Sequence, residues 1–225
     1  MTAALALPLL PTGAVAACIP NDHNALLIFD ASYSMLRRVA NGVSRFQLAR
    51  QSVNDTIDLF PDKAEIALRL YGSMTQAQRM DCTDTLLKVP FAPASQNRAI
   101  IKSALADTHA RGVTPIAFAL KQAAEDFPGN ASERIIVLLS DGGEDCNGDP
   151  CATAAVLHSQ GFVINTIGLL TDPVGYRQLQ CIARVGGGQF FNVPTALQLT
   201  DQLMQAMGIC PVALGPVRRD PYAAG

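Results

Sequence analysis

The stretch Asn24-Ala25-Leu26-Leu27-Ile28-Phe29-Asp30-Ala31-Ser32-Tyr33-Ser34 decides the fold. Residues 25–29 (ALLIF) are an unbroken apolar run, which is what a strand buried on both faces requires. The run stops at a carboxylate, and two hydroxyls follow at alternate positions. A second run, 134–139 (RIIVLL), has the same character and stops at Ser140-Asp141-Gly142. Apolar strands that end in polar loops belong to open α/β sheets, whose ligands sit outside the carboxyl ends of the strands.

Strand and helix patterns alternate outward from these runs. Over 44–60, Phe46, Ala49, Val53, Ile57 and Phe60 fall on one helical stripe, while Arg45, Arg50, Asn54 and Asp55 lie off it. Pro61 stops that helix. Residues 65–71 read as a second strand ended by Gly72, and 85–89 (TLLKV) as a short third. No helix fits between those two, so the third is expected at an antiparallel edge. A helix over 95–105 takes Ser95 as N-cap. Gly112-Val113-Thr114-Pro115 opens another that runs to Phe127, with Pro115 in its first turn. After the fourth strand and a loop over 140–150 come a helix over 151–160 ended by Gly161, a strand over 163–169 and a helix over 175–185. Gly186-Gly187-Gly188 lacks the Lys-Ser/Thr of a phosphate loop and reads as a turn. A strand over 189–193 and a helix over 195–207 close the pattern. The expected architecture is α/β: a doubly wound, mostly parallel six-stranded sheet with one antiparallel edge strand, helices on both faces and right-handed crossovers.

The chain has 225 residues, 49% hydrophobic and 16% charged, which suits a globular domain rather than a disordered segment. A net charge of −2 and a pI near 5.9 do not support a nucleic-acid surface. Residues 1–17 (MTAALALPLLPTGAVAA) carry no charge and end in small residues, like a secretory signal remnant with Ala14-Val15-Ala16 at the cleavage site, although the basic n-region is missing. A membrane span is disfavoured because Pro8, Pro11 and Gly13 break a short run. A third reading is a lipid anchor at Cys18, since Val15-Ala16-Ala17-Cys18 loosely resembles a lipobox. The domain is placed at 18–210 and a tail at 211–225, in a periplasmic or secreted protein. Export makes disulfides the expected state of Cys18, Cys82, Cys146, Cys151, Cys181 and Cys210. Zinc is disfavoured, because Cys146 and Cys151 lack a second close pair or a nearby His. Six cysteines allow fifteen pairings, and sequence alone does not choose.

Three segments fall where the fold puts its ligands: the Asp30 loop, the Thr114 loop and Ser140-Asp141-Gly142. If the first and fourth strands are neighbours, all three converge. They bring two carboxylates (Asp30, Asp141) and three hydroxyls (Ser32, Ser34, Thr114). A set of hard oxygen donors suits Mg²⁺, Mn²⁺ or Ca²⁺. Two carboxylates balance one divalent ion, which leaves it electrophilic and open to a carboxylate from a protein partner. The alternative is that Asp30 and Ser32 only cap the following segment.

The D-x-S-x-S loop at Asp30, the distant Thr114 and the S-D-G at Ser140 resemble the metal-ion-dependent adhesion site of von Willebrand factor A domains, over residues 24–208. The resemblance implies a Rossmann-like doubly wound fold with Mg²⁺ or Mn²⁺ at its top. It implies Ser32 and Ser34 as direct ligands, Thr114 as a direct or water-bridged one, and Asp30 and Asp141 acting mainly through water. The cysteine-bearing segments 81–84, 142–151 and 181–183 resemble a bacterial exported subgroup. On that topology Cys18 and Cys210 are expected to meet at the bottom of the sheet. One division of the other four pairs Cys82 with Cys146 and Cys151 with Cys181.

The leading expectation is a non-catalytic protein-binding module that works through its cation. The alternatives are a metal-dependent phosphoesterase, which lacks an evident general base, and a structural domain whose ion only adds stability. Glu144 and Asp145 are read as a solvated loop, with a second cation or acidic rim as the alternative. His23, His109 and His158 share no ligand spacing. Tyr33 and Met35 are each read as either facing a partner or folding back on the core.

Overall fold

The computed structural model describes residues 24–39, 42–131, 133–195 and 198–209. Six strands form one sheet: β1 (Asn24–Asp30), β2 (Glu65–Tyr71), β3 (Thr85–Pro93), β4 (Arg134–Ser140), β5 (Phe162–Leu169) and β6 (Gly187–Val193). Six helices join them: α1 (Arg45–Ile57), α2 (Ala94–Ala106), α3 (Ile116–Glu125), α4 (Pro150–Ser159), α5 (Pro173–Val185) and α6 (Leu199–Ala206). The strand order is β3-β2-β1-β4-β5-β6. Only β3 runs antiparallel to its neighbour. The expected fold class is what the chain adopts.

The period of two along β1 divides the core. Ala25, Leu27 and Phe29 face α1, α2 and α6. Leu26 and Ile28 face α3, α4 and α5. All five are buried, and full burial of a Leu, Ile or Phe is worth about 1.5–3 kcal/mol. β1 thus sits at the centre of both layers, and its carboxyl end is held in place by most of the molecule. The order reverses between β1 and β4, so the switch point falls at Asp30 and Ser140.

Several element ends differ from the expected ones: α6 begins at Leu199 rather than 195, and β6 takes in Gly187 and Gly188, expected in the turn. β3 runs on to Pro93, with a register break against β2 near Pro90. Pro90 has no N–H, and an edge strand tolerates that. Asn97 bridges the break, donating to the carbonyls of Ile66 at 2.7 Å and Pro90 at 2.8 Å. Ser95 is not an N-cap: α2 starts at Ala94 straight from the strand. The Ala94 and Ser95 N–H groups bond the carbonyls of Ala64 and Asp62 instead. The helices at 150 and 173 begin earlier than expected, each on an Asp cap (Asp149, Asp172) followed by proline.

Candidate metal centre

β1 delivers Asp30, and the chain then turns sharply. Asp30 Oδ1 accepts from the Ser32 N–H at 2.7 Å and Oδ2 from the Ser140 hydroxyl at 2.6 Å. Those bonds curl the loop, and the hydroxyls of Ser32 and Ser34 come within 2.9 Å of each other. Ser34 Oγ donates to Asp141 Oδ1 at 2.6 Å. The ends of β1 and β4 are so joined through side chains.

The Thr114 loop is brought in by the backbone. Ser32 pairs with Gly112 in a parallel bridge, and the Tyr33 N–H donates to the Gly112 carbonyl at 2.8 Å. The approach depends on two glycines. Gly72 has φ +68, and a Cβ there would lie 2.8 Å from the Ser32 backbone. A Cβ on Gly112 would lie 2.6 Å from Gly72 Cα. Ser32, Ser34 and Thr114 consequently line one groove of about 620 Å³, with Tyr33, Leu36, Arg37, Met80, Val113 and Asp145 around it.

Glu144 and Asp145 lie in a loop beside the Cys146 bond, with Asp145 exposed and Glu144 half-buried, but both also make specific hydrogen bonds. Glu144 Oε2 accepts from the Ala117 N–H at 2.7 Å, in the first turn of α3, where Pro115 offers no side-chain cap. Its Oε1 accepts from the Cys146 N–H at 2.9 Å. Asp145 clasps Thr114: its Oδ2 accepts from the Thr114 N–H at 3.2 Å, and its own N–H donates to the Thr114 carbonyl at 3.0 Å. Asp145 also borders the groove. Both carboxylates therefore brace the Thr114 loop. Only the position of Glu144-Asp145 just after Asp141 could have signalled this in the sequence.

Cys82–Cys146 and Cys151–Cys181 are bonded, with Cα atoms 5.5 and 5.9 Å apart. The first ties the β2–β3 loop to the loop after β4. The Cys18–Cys210 pairing and the lipid anchor at Cys18 lie outside the described residues, as does His23. Tyr33 is 60% exposed on the groove while Met35 is buried in the core. His158 Nδ1 lies 3.1 Å from the Phe162 carbonyl, away from the rim.

The electrostatics favour a cation. Asp30 is fully buried, and burial, then the charge of Asp141, push its pKa up to about 6 against the pull of its hydrogen bonds. Tyr71 is pushed well above 10 by burial and by Asp30. Its hydroxyl is a buried atom without a hydrogen-bond partner among the described residues. Among the described residues Asp141 receives the only ion pair at the rim, from Arg45 Nη1 at 2.6 Å. Among the described residues no three His, Cys, Asp or Glu gather as a metal cluster, so any ion here depends on hydroxyls and water. Two buried carboxylates behind a hydroxyl pair fit a hard divalent cation in charge and in donor type.

A doubly wound sheet carrying an oxygen-lined rim at its switch point defines a class of α/β domain. This chain belongs to the von Willebrand factor type A domain family, whose model matches residues 24–206. It is 31% identical over 178 residues to the uncharacterised protein YwmC of Bacillus subtilis (strain 168), covering 76% of this chain and 77% of that one. Among solved structures it resembles the pilus adhesin SpaC of Lactobacillus rhamnosus GG, with TM-score 0.68, 14% identity, and 84% of this chain against 30% of that one. It also resembles proximal thread matrix protein 1 of the mussel byssus with a zinc-occupied MIDAS motif, with TM-score 0.64, 22% identity, and 84% against 45% coverage. Among the described residues no helix is long and apolar enough to cross a membrane.

Proposed function

We propose that this chain is a divalent-cation-dependent protein-binding module acting outside the cytoplasm. Ser32 and Ser34 hold the ion directly. Thr114 holds it directly or through water, and Asp30 and Asp141 balance its charge through water and the serine hydroxyls. The ion is Mg²⁺, with Mn²⁺ or Ca²⁺ as substitutes. An acidic residue of the partner completes its coordination. The observation that carries this reading is the hydroxyl pair, 2.9 Å apart, backed by two buried carboxylates and opening on a groove.

The groove supports a binding role over a purely structural one. Tyr33, Leu36 and Met80 are 60, 44 and 55% exposed beside the rim. The Met80 wall is not a loose loop. Buried Asp84 accepts from the N–H groups of Met74 and Thr75, and the Cys82–Cys146 bond ties the wall down. Met80 itself sits at φ +47, which a bulky residue adopts only when its surroundings hold it there. Apolar side chains exposed on a backbone that is held in place offer anchors to a partner at reduced ordering cost.

The likeness to a pilus adhesin and to a byssal protein with a zinc-occupied MIDAS motif supports both the adhesive role and the ion. Zn²⁺ therefore belongs in the test series. The test is affinity capture from a native extract of the source cell, with Mg²⁺ and again with EDTA, on wild type and Ser32→Ala. The expected result is a partner retained by wild type in Mg²⁺ and released by EDTA. Capture indifferent to EDTA and to Ser32→Ala removes the mechanism. A cation that raises the melting temperature but changes no interaction supports the structural alternative.

A further inference from the structure

Arg45 is the first residue of α1, and its guanidinium turns inward onto the rim. Nη1 donates to Asp141 Oδ2 at 2.6 Å, with side-chain exposures of 15% for Arg45 and 0% for Asp141. Among the described residues no other Lys or Arg pairs with Asp30 or Asp141. The contact runs through one nitrogen. Nε is buried with no hydrogen-bond partner, so Arg45 is held by charge more than by matched geometry. Arg45 also lines a second groove, of about 540 Å³, with Arg38, Leu170, Thr171, Tyr176 and Asn192. The side chain therefore has room to leave Asp141.

The charges can be counted. Asp145 and Arg37, which border the same groove, offset each other. Asp30 and Asp141 carry two negative charges when ionised, and one divalent ion cancels them. Arg45 then leaves the loaded rim with one positive charge in surplus. A carboxylate from a partner restores neutrality. The same guanidinium that weakens the ion by repulsion thus strengthens the attraction for an acid arriving after it.

We propose that Arg45 is a built-in rival of the divalent cation for Asp141. It neutralises the rim when no ion is bound, weakens the ion when it binds alone, and leaves a surplus charge that only an anionic partner removes. The inference rests on the cation reading above and deepens it, because it makes cation retention depend on the partner's acid.

The test is calorimetric titration with Mn²⁺ in a carboxylate-free buffer, on wild type, Arg45→Gln and Arg45→Lys, alongside thermal unfolding in EDTA. Arg45→Gln is expected to bind Mn²⁺ about tenfold more tightly than wild type, the scale of one unit charge several Å away in a partly solvated site. Arg45→Lys keeps the charge and is expected to stay within about threefold of wild type. In EDTA, Arg45→Gln is expected to melt below wild type, and saturating Mn²⁺ narrows or reverses that order. Binding by Arg45→Gln alone also supports the proposal. Equal or weaker Mn²⁺ binding by folded Arg45→Gln overturns it while leaving the cation reading intact. So does tightening by Arg45→Lys that matches Arg45→Gln, because charge is then not the cause. If neither wild type nor Arg45→Gln binds Mn²⁺, the cation reading falls and the proposal falls with it.

Discussion

At the scale of single residues, the rim is built of hydroxyls and carboxylates that touch one another. Ser32→Ala removes one of the paired Oγ atoms, and Asp141→Ala removes the acceptor of both Ser34 and Arg45. Each is expected to weaken Mn²⁺ binding by at least about tenfold, the scale of losing one charge-assisted contact. Circular dichroism should show the fold retained, and normal affinity in both variants would contradict the assignment. Asp30 gives a pH prediction. Its folded pKa, about 6, lies above the usual 3.8, so the native protein binds this proton more tightly than the unfolded chain does. In EDTA its share of stability therefore falls as pH rises through the window from 3.8 to about 6, and the penalty of the buried charge is fully present above it. Asp30→Asn carries no such penalty. Its melting temperature relative to wild type should improve from pH 4 to pH 7, and a constant difference would contradict the assignment. The five rim residues were legible in the sequence because each sits in or beside a loop that follows a recognisable strand or opens a recognisable helix. Arg45 was legible only as a residue off the apolar stripe. A stripe shows which side of a helix meets the core, but not how far a long side chain at the first turn reaches over the sheet's edge.

At the scale of elements, polar groups from far along the chain complete what local sequence leaves open. α3 begins after Pro115 with no side-chain cap of its own, and Glu144 supplies one from the loop after β4. Arg69 sits within β2, 5% exposed, and its Nε and Nη2 atoms donate to Asp126 beyond α3 at 2.6 and 2.8 Å. Removing one partner of such a pair strands a buried charge. Asp126→Ala is therefore expected to cost about 3–5 kcal/mol in denaturant unfolding. A loss below about 1 kcal/mol would mean that water reaches Arg69. Gly72 holds φ +68 with Ser32 packed against it. Gly72→Ala is expected to cost about 1–3 kcal/mol and to weaken Mn²⁺ binding, because the Asp30 loop has to shift. Unchanged binding would show that the loop tolerates the displacement. Neither contact was legible. In the sequence Gly72 marks only the end of a strand, and Arg69 gives no sign of where its partner comes from.

At the scale of the whole molecule, the antiparallel edge was readable because β2 and β3 have no room for a crossover helix between them while the other links do, whereas the pairing of β1 with β4 was only a condition until the sheet order showed it. The antiparallel edge follows from that shortage of chain. The ends of elements were less legible, since β3 passes into α2 without a loop and Pro90 disguises a strand that continues. The Cys82–Cys146 bond closes a separation of 64 residues between two rim loops, worth about 4 kcal/mol in the chain-entropy picture. Replacing both cysteines by serine is expected to lower the melting temperature and to loosen the Met80 wall, with faster amide exchange at residues 74–84 as the readout. Protection left unchanged there would show that Asp84 alone holds the wall.

Whether the rim holds a divalent ion is answered by anomalous diffraction from crystals of the protein grown with Mn²⁺. One strong Mn peak is expected, bonded to Ser32 and Ser34 Oγ, with Thr114 beside it and Asp30 and Asp141 in the layer behind. An empty rim, or a peak elsewhere on the molecule, would contradict the cation reading.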